Sequence, residues 1–335
     1  MRIGFVYDAR DAYLAEGFSE IDVAEFDTEE TIAEVEAALM RAGCEVERIG
    51  RGTALARRLA AGESWDLVFP IAEGLSGRAR EAQVPALCEL FGQDYAFSDP
   101  LTMAATLDKA VAKRLVRDQG VPTADFALLR RAEDARSVDL GFPLFVKPVA
   151  EGTGKGCEAA SIVADRGELE AVAARLVERF RQPAIAEAYL EGREFTVGVL
   201  GNGAGAGVIG VLEIVVRPDA EDPVYSFDNK EHCEGRVIYR LAEDPEALLA
   251  GGLALAAYRA LECRDAARID LRSDAAGVPQ FLEANPIAGL HPTHSDLPML
   301  ARLAGRSYDW LMGGILDAAA GRLGLERRRR ASVAA

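Results

Sequence analysis

The 335-residue sequence predicts an α/β region followed by regions of α+β type. Strand and helix patterns alternate through about the first hundred residues, which is typical of a parallel sheet with helical crossovers. Beyond residue 120 the pattern changes to consecutive strands interrupted by single helices. The length is sufficient for two or three hydrophobic cores, and 50% hydrophobic and 27% charged residues are ordinary for a globular protein.

The first region, residues 1–98, is predicted to be a parallel α/β domain. Its strand candidates are short apolar runs, and they are RIGFVYD, CEVERIG, DLVFPI and YAFS. One helix is expected from Asp27, as its N-cap, to Gly43, and a second in QVPALCELFG. Because parallel strands end at one edge, the loops at Asp8 and at residues 72–80 are expected on the ligand side of the sheet.

The second region, residues 99–185, is predicted to open with one helix from Asp99, an N-cap, to Gly120. Its further elements are the strand candidates FALL, GFPLFVKPV and CEAASIV and the helix ELEAVAARLVERF. The third region, residues 186–322, contains the strand candidates EFTVGVL and GVIGVLEIVV, a helix from Asp244 and two final strands. Residues 323–335 include Arg327–Arg330 and are expected to be a disordered tail.

Composition excludes several classes of function. A formal net charge of −16 argues against a surface for nucleic acid or anionic membranes. No apolar run has the length of a membrane span, and the N-terminal apolar run is too short for a signal peptide, so we expect a cytoplasmic protein. The five cysteines form no CxxC pair, which argues against a disulfide framework or a zinc site.

The glycine-rich stretch KPVAEGTGKGCEAAS, residues 147–161, resembles a phosphate-binding loop without matching the P-loop motif. Val149 stands where that motif needs glycine, and Gly156 stands where it needs serine or threonine. The flanking strand patterns instead predict the tip of a hairpin, whose backbone N–H groups can cover a phosphate. A solvated turn without a ligand is the alternative.

The segment ARIDLRSDAAGVPQFLEAN predicts a hairpin that gathers polar side chains on one face. With the turn at Ala276 and Gly277, Asp270 would lie opposite Glu283, and Arg268 opposite Asn285. Facing carboxylates are destabilising unless a cation joins them, and Mg²⁺ commonly binds one or two carboxylates together with substrate phosphates. The alternative is a solvated face on which the acids pair with arginines.

Three lysines add to this pattern. Lys147 lies in the apolar strand LFVKP, on the same face as Phe145, where a buried ammonium needs an anionic partner. Lys109 lies in a helix, and Lys230 lies in an acidic stretch. Each alone is commonly a surface lysine. Together with the glycine loop and the carboxylate hairpin, they predict a site for a nucleoside triphosphate and its metal.

The segments TLDKAVAKRLVRDQGVPTADF, FPLFVKPVAEGTGKGCEAAS, AIAEAYLEGREFTVGVL and PQFLEANPIAGL resemble those of ATP-grasp enzymes, specifically the D-alanine:D-alanine ligase branch. The match runs in order from about residue 65 to residue 300. This resemblance implies a three-domain ATP-grasp fold with ATP between the central and C-terminal domains. It also favours a homodimer.

The resemblance implies a role for each matching residue. Contacts with ATP are implied for Lys109, Lys147, Glu151, Gly152, Thr153, Gly154, Glu187, Ala188, Leu190 and Glu194. Among these, Glu187 and the backbone near Ala188 and Leu190 would contact adenine, and Glu194 the ribose. Lys230 would reach the γ-phosphate, and two Mg²⁺ or Mn²⁺ ions would be bound by Asp270, Glu283 and Asn285. Arg268 and the backbone near Gly289 would stabilise an oxyanion.

The implied reaction is phosphorylation of a substrate carboxylate by ATP, followed by attack of an amine on the acyl phosphate. The loops on the amino-acid side differ from the family pattern, notably the long first loop and PIAEGLSGRAREAQ. Candidate substrate contacts are Arg78, Arg80, His291, His294 and Ser295.

The leading interpretation is therefore a ligase that joins an amino acid or small carboxylate to an amine. A strict D-alanine:D-alanine ligase, a carboxylate kinase and a catalytically silent ATP-binding module remain alternatives. A dinucleotide-binding dehydrogenase lacks support because no GxGxxG turn follows RIGFVYD.

Overall fold

A computed structural model describes residues 1–217, 229 and 235–325. Its strands are β1 (Arg2–Val6), β2 (Glu45–Gly50), β3 (Leu67–Pro70), β4 (Phe126–Leu129), β5 (Leu144–Pro148), β6 (Ile162–Val163), β7 (Ala184–Ala188), β8 (Glu194–Leu200), β9 (Gly207–Val216), β10 (Val237–Leu241), β11 (Ala266–Ser273) and β12 (Pro279–Asn285). Its α-helices are α1 (Arg10–Ala15), α2 (Glu29–Arg41), α3 (Gly52–Ala60), α4 (Gln83–Phe91), α5 (Pro100–Leu107), α6 (Lys109–Asp118), α7 (Arg166–Phe180), α8 (Pro245–Ala260), α9 (Asp296–Leu303) and α10 (Tyr308–Leu323). Within these residues, no helix is both long and apolar enough to cross a membrane.

The strands of the described residues form three sheets. The first is parallel, with the order β2-β1-β3. The second has the order β4-β7-β5-β6 and is antiparallel. The third, β10-β9-β8-β11-β12, is antiparallel as well. This arrangement confirms an α/β region followed by α+β regions.

Strand β7 belongs to the second sheet, where Lys147 of β5 pairs with Ile185 and Pro148 with Ala184. A domain boundary between residues 185 and 186 would therefore divide a strand. We propose that the first region comprises residues 1–98, as the sequence predicts, and that the second extends to Ala188. The third then begins in the connection to β8.

The helix predicted from Asp99 to Gly120 is two helices. Asp99 caps α5 as expected, through a hydrogen bond from the Thr102 N–H (2.9 Å). Asp108 then leaves the helical region, with φ −84° and ψ 97°, and its carboxylate accepts a hydrogen bond from the Val111 N–H (3.1 Å). An aspartate that caps a second helix thus ends the first, and Lys109 becomes the first residue of α6.

Three other local predictions are wrong. YAFS is not a strand, since within it Tyr95 alone forms an isolated bridge, to Val68. The N-cap of α2 is Thr28, whose side chain accepts from the Thr31 N–H, whereas Asp27 lies one residue earlier. CEAASIV is mainly a loop, and only Ile162 and Val163 pair with β5. The β-branched pair at its end accounts for the strand, while Glu158 and Ser161 bond each other's backbone in a turn.

The apolar core of the first sheet is completed by the last described helix. Ile3 and Phe5 of β1 and Ile32 of α2 belong to one buried cluster with Leu311 and Ile315 of α10. On the surface, Arg41 of α2 pairs with Asp309 (2.8 Å). The first region therefore depends on residues more than two hundred positions away for its burial.

Candidate active site

A cleft with a cavity volume of about 110 Å³ lies between the second and third sheets. The second sheet and the glycine loop contribute one wall, and the third sheet contributes the other. The residues that line it are Lys109, Ala124, Phe145, Lys147, Pro148, Glu151, Gly154, Lys155, Cys157, Glu187, Ala188, Tyr189, Leu190, Glu194, Thr196, Ile214, Asp270, Arg272, Leu282 and Glu283.

The carboxylate hairpin has the predicted register at the site. Asp270 pairs with Glu283, and Arg268 pairs with Asn285. Between Asp270 and Leu271 the register shifts by one residue, because Leu271 pairs with Phe281. The extra residue is Leu282, so Leu282 and Glu283 both line the cleft although the strand period would place them on opposite faces.

Each of the two facing acids contacts a cation. Asp270 accepts from Arg268 Nε (3.0 Å), from Thr196 Oγ1 (2.8 Å) and from the Asn285 amide (3.2 Å). Glu283 Oε2 lies 3.1 Å from Lys109 Nζ. The register therefore places the two carboxylates at facing positions of the hairpin, and the neighbouring ammonium and guanidinium groups offset the repulsion between them.

Two lysines share one buried glutamate. Lys147 Nζ lies 2.9 Å from Glu187 Oε2, and Lys113 Nζ lies 2.5 Å from Glu187 Oε1. Burial alone would raise the pKa of Glu187, but the two ammonium groups outweigh it and hold the pKa at about 2. Burial likewise opposes the charge of Lys147, yet Glu187 and Glu283 raise its pKa above the ordinary value. For Lys113, burial prevails and lowers the pKa.

The glycine loop is held over the cleft by charged contacts. Lys109 Nζ donates to the Glu151 carbonyl (2.6 Å), and Lys155 Nζ lies 2.5 Å from Glu151 Oε2. The Gly152 N–H donates to the Glu25 carboxylate of the first region. Gly154, with φ +74°, needs the left-handed conformation that glycine adopts without strain. Lys155 is thus buried in ion pairs in this conformation of the loop and does not face water.

The cleft has apolar as well as polar lining. Phe145, Ile214 and Leu282 are apolar side chains among its lining residues, and such side chains suit a flat aromatic ring. The Ala188 N–H already donates to the Asp125 carbonyl (2.9 Å). Glu194 Oε2 lies 3.4 Å from Arg272 Nη1, an arginine that strand alternation places on the same face as Asp270.

The predicted oxyanion groups lie outside the residues that line the cleft. Arg268 contacts Asp270 and lies 3.5 Å from Asp296, and these acids outweigh burial and raise its pKa. Gly289 packs against Ser295, since a Cβ at position 289 would lie 2.7 Å from Ser295 Oγ. The structure does not bring these two groups into the cleft with the lysines.

None of the five predicted substrate contacts is among the residues lining the described cleft. Arg78 is 80% exposed and pairs with Asp108 (2.7 Å), whereas Arg80 is buried and pairs with Glu25 (2.8 Å). Ser295 Oγ accepts from the His291 N–H (3.0 Å), and the His291 ring lies 4.8 Å from that of the exposed His294. Lys230 and the arginine-rich run at 327–330 lie outside the described residues.

An acid-rich group of residues adjoins the glycine loop on the first region. Asp8 accepts from Tyr13 Oη (2.7 Å) and from the Gly74 N–H (2.9 Å). Desolvation and the Asp8 charge raise the pKa of nearby Asp27 to about 7. Desolvation likewise raises the pKa of Glu73 and Glu81, with Glu81 at about 7. The ionised forms of these carboxyl groups are therefore unfavourable here.

Sequence reasoning missed two residues that organise the cleft. Lys113 lies four positions after Lys109, one helical turn along α6, and that spacing was the available signal. Glu25 lies in a long irregular loop, where no local pattern indicates a contact with Gly152 at a separation of 127 residues.

Similarity to known proteins agrees with this geometry. A family model described as the D-ala D-ala ligase C-terminus matches residues 115–317. The D-alanine–D-alanine ligase of Bordetella petrii is 34% identical over 290 residues, covering 85% of this chain and 85% of that protein. This chain belongs to the D-alanine–D-alanine ligase family.

A second relative is a Sinorhizobium fredii protein described as uncharacterized protein y4sG. It is 36% identical over 261 residues, which are 76% of this chain and 74% of that protein. The structure of D-alanine–D-alanine ligase from Bacillus anthracis complexed with ATP has a TM-score of 0.71 at 24% identity, over 96% of this chain and 98% of that one. The fold is therefore that of the ligase family over nearly the whole chain.

Family membership confirms the predicted ATP-grasp fold and an ATP-dependent ligase that forms carbon–nitrogen bonds. ATP and a divalent metal ion are the cofactors of such an enzyme. Among residues 1–217, 229 and 235–325, no three His, Cys, Asp or Glu side chains are grouped to hold a metal ion. Two carboxylates and an amide nevertheless fit a metal such as Mg²⁺, which often takes its remaining ligands from water and substrate phosphates.

Proposed function

We propose that this ligase joins an amino acid, or a related small carboxylate, to an amine through an acyl-phosphate intermediate. The observation that carries the proposal is the convergence of Lys109, Lys147, Asp270 and Glu283 on one cleft beneath a glycine loop. Cations placed beside paired carboxylates can neutralise the charge of a triphosphate and its metal. The family relatives described as D-alanine–D-alanine ligases support the same reaction class.

The nucleotide would lie between the second and third sheets. Lys109 and Lys147 would contact its phosphates, and the backbone of residues 151–156 would cover them. The apolar end near Phe145 and Leu282 would hold the base, with the Ala188 carbonyl and the Leu190 backbone at its edge and Glu194 at the ribose. Asp270, Glu283 and Asn285 would hold two Mg²⁺ or Mn²⁺ ions, which supply charge neutralisation at the phosphates.

The protein's part in the reaction is positioning. Lys147 orients the phosphate chain, while the loop held by Glu25 and Lys155 excludes water from the phosphates. Arg268 and Gly289 remain our proposed oxyanion groups, which would require the substrate to reach beyond the described cleft. We also propose a homodimer, on the family resemblance alone.

A strict D-alanine–D-alanine ligase is the second candidate. Relatives from Bordetella carry that name and match 85% of this chain. The loops of the first region favour the broader proposal over a strict D-alanine–D-alanine ligase, because they differ from the family pattern in length and in composition.

The test is incubation of the purified chain with ATP, Mg²⁺ and single or paired amino acids, with mass spectrometry of the products. The expected result is ADP, phosphate and one coupled amide for a particular pair. Lys147→Met is expected to reduce the rate at least about a hundredfold, since a preorganised cationic contact to the phosphates is lost. The exposed Arg136→Gln is the matched control, because it removes a cation at the surface, where Arg136 pairs with Glu170.

A coupled product from D-alanine alone would select the strict candidate. If ADP formed together with a stable phosphorylated product and no amide, the activity would be that of a kinase and not of a ligase. ATP binding without turnover for any pair would contradict the proposal.

A further inference from the structure

We propose that Lys113 is a positioning residue for the nucleotide, because it shares Glu187 with Lys147 and so leaves the charge of Lys147 available to phosphate. This inference rests on the proposed placement of ATP phosphates at Lys147. It concerns a residue that lies outside the cleft and touches no substrate.

Lys113 is enclosed by protein. Its side chain is 0% exposed, and its ammonium contacts Glu187 Oε1 at 2.5 Å. The same nitrogen donates to Thr123 Oγ1 (2.8 Å) and to the Phe281 carbonyl (3.0 Å). Two of these contacts are hydrogen bonds and the third is an ion pair, and with its side chain fully buried among them Lys113 does not reach the cleft.

Lys147 differs in one respect. It shares the other oxygen of Glu187, but it also lines the cleft, where its ammonium lies 5.9 Å from the Phe145 ring centre. The two lysines and one carboxylate carry one net positive charge in a buried place. Of the two lysines, Lys147 is the one that can present that charge to the cleft.

A net positive charge in a desolvated site is unfavourable, and Glu283, which also acts on Lys147, offsets it in part until a further anion arrives. A phosphate at Lys147 would supply that anion, so the charges of Lys113, Lys147 and Glu187 together favour phosphate binding. Without the Lys113 charge, Glu187 would neutralise Lys147 by itself, and phosphate would have to compete with this carboxylate.

Lys113 also joins the two walls. It lies on α6, Glu187 lies on β7 of the second sheet, and Phe281 lies on β12 of the third sheet. A purely structural role is therefore the competing explanation. The two explanations differ in what they expect when the charge balance is restored by a second substitution.

The experiment compares four full-length proteins: wild type, Lys113→Met, Glu187→Gln and the double variant. Calorimetry measures the dissociation constants of Mg-ATP and of inorganic tripolyphosphate, which reports the phosphate contacts without a base. Lys113→Met is expected to raise the dissociation constants of both ligands at least about tenfold, in the range of a lost charge-assisted contact. The double variant, with one positive charge again, is expected to recover most of the loss for tripolyphosphate.

Thermal unfolding of the same four proteins separates charge from packing. If Lys113 has only a structural role, the double variant should be the least stable of the four and should bind tripolyphosphate no better than Lys113→Met does. That binding result would overturn the inference. If Lys113→Met does not fold, Glu187→Gln carries the test. It is expected to bind tripolyphosphate at least as tightly as wild type, and weaker binding would overturn the inference.

Failure of wild type to bind either ligand would contradict the proposed function itself. Normal wild-type binding with no rescue in the double variant would contradict only the role of Lys113.

Discussion

Asp27 lies next to a second carboxylate, Asp8, at the acid-rich end of the first region. The two backbones are also joined, since the Asp27 N–H donates to the Asp8 carbonyl (3.2 Å). Desolvation and this neighbour raise the pKa of Asp27 to about 7. A carboxyl group whose folded pKa exceeds its unfolded value binds its proton more tightly in the folded state, so stability falls as pH rises through the interval between the two values.

We therefore expect Asp27→Asn to be more stable than wild type above pH 7. The difference in free energy of unfolding should be small near pH 4 and grow to a few kcal/mol by about pH 7, at ~1.4 kcal/mol per pKa unit. Urea denaturation between these pH values measures it. The exposed Asp11→Asn controls for loss of a carboxylate, and an equal pH dependence in both variants would contradict the prediction.

Some roles of single residues follow from their local pattern and others do not. Lys147 was predicted to need an anionic partner because its strand is apolar, and Glu187 is that partner. Arg80 stays a predicted substrate contact, and the sequence did not indicate that it pairs with Glu25 and donates to the Ala150 carbonyl (2.8 Å). The sequence shows that a buried charge needs a partner without showing which distant residue provides it.

At the scale of elements, the break between α5 and α6 positions Lys109. Asp108 caps α6 with its carboxylate, and the same carboxylate accepts from Arg78 (2.7 Å). The cap fixes the first turn of α6, where Lys109 contacts Glu283 and the Glu151 carbonyl.

We predict that Asp108→Ala lowers the free energy of unfolding by about 1 kcal/mol, the usual cost of an N-cap, and also weakens ATP binding. Asp108→Ser should recover most of the stability, since a serine hydroxyl can accept the same N–H while the Arg78 pair is lost in both variants. Chemical denaturation measures the free energy of unfolding of both variants, and calorimetry measures their ATP binding. Equal destabilisation by alanine and serine would assign the effect to Arg78 instead of the cap.

Strand pairing was predictable where the alternation of residues was regular. The pairing of Asp270 with Glu283 was predicted by counting from a turn at Ala276 and Gly277. In the structure, the three pairs nearest the turn would lead to Asp270 opposite Leu282, and the bulge at Leu282 restores the predicted pairing. The bulge itself was not predictable, because the alternation in FLEAN carries no mark of an extra residue. CEAASIV was mistaken for a strand since its apolar composition does not reveal the side-chain hydrogen bonds that form its turn.

At the scale of the whole molecule, Glu25 fastens the glycine loop to the first region. Its carboxylate accepts from the Gly152 N–H, pairs with Arg80 (2.8 Å) and lies 3.3 Å from Lys155 Nζ. Burial opposes its charge, yet Arg80 and Lys155 outweigh burial and lower its pKa. The loop over the proposed nucleotide is thus held by residues from outside its own sheet.

We expect Glu25→Gln to loosen this loop. Amide hydrogen exchange in residues 151–157 should accelerate several-fold, because local opening no longer breaks the ion pair between Lys155 and Glu25 or the hydrogen bond from the Gly152 N–H to a charged acceptor. Exchange in α8 should not change. Glu20→Gln is the matched control, since Glu20 is 72% exposed and pairs at the surface with Arg10. Unchanged exchange in residues 151–157 would contradict the fastening role.

The family resemblance predicted several residues that line the cleft, because the lysines and acids lie in short, ordered motifs. The contacts between regions were beyond reach of sequence reasoning. Glu25 and Gly152 are 127 positions apart, and the irregular loop that carries Glu25 has no periodic pattern to indicate its direction.

The shared core of β1, α2 and α10 has a consequence for biosynthesis. A ribosome releases the first sheet long before it releases α10, so the cluster around Ile3, Phe5 and Ile32 would lack its α10 members until about residue 320 has emerged. The first region is therefore expected to remain incompletely packed during most of translation. The native packing of the first region is therefore completed late, when α10 packs into the cluster that contains β1 and α2.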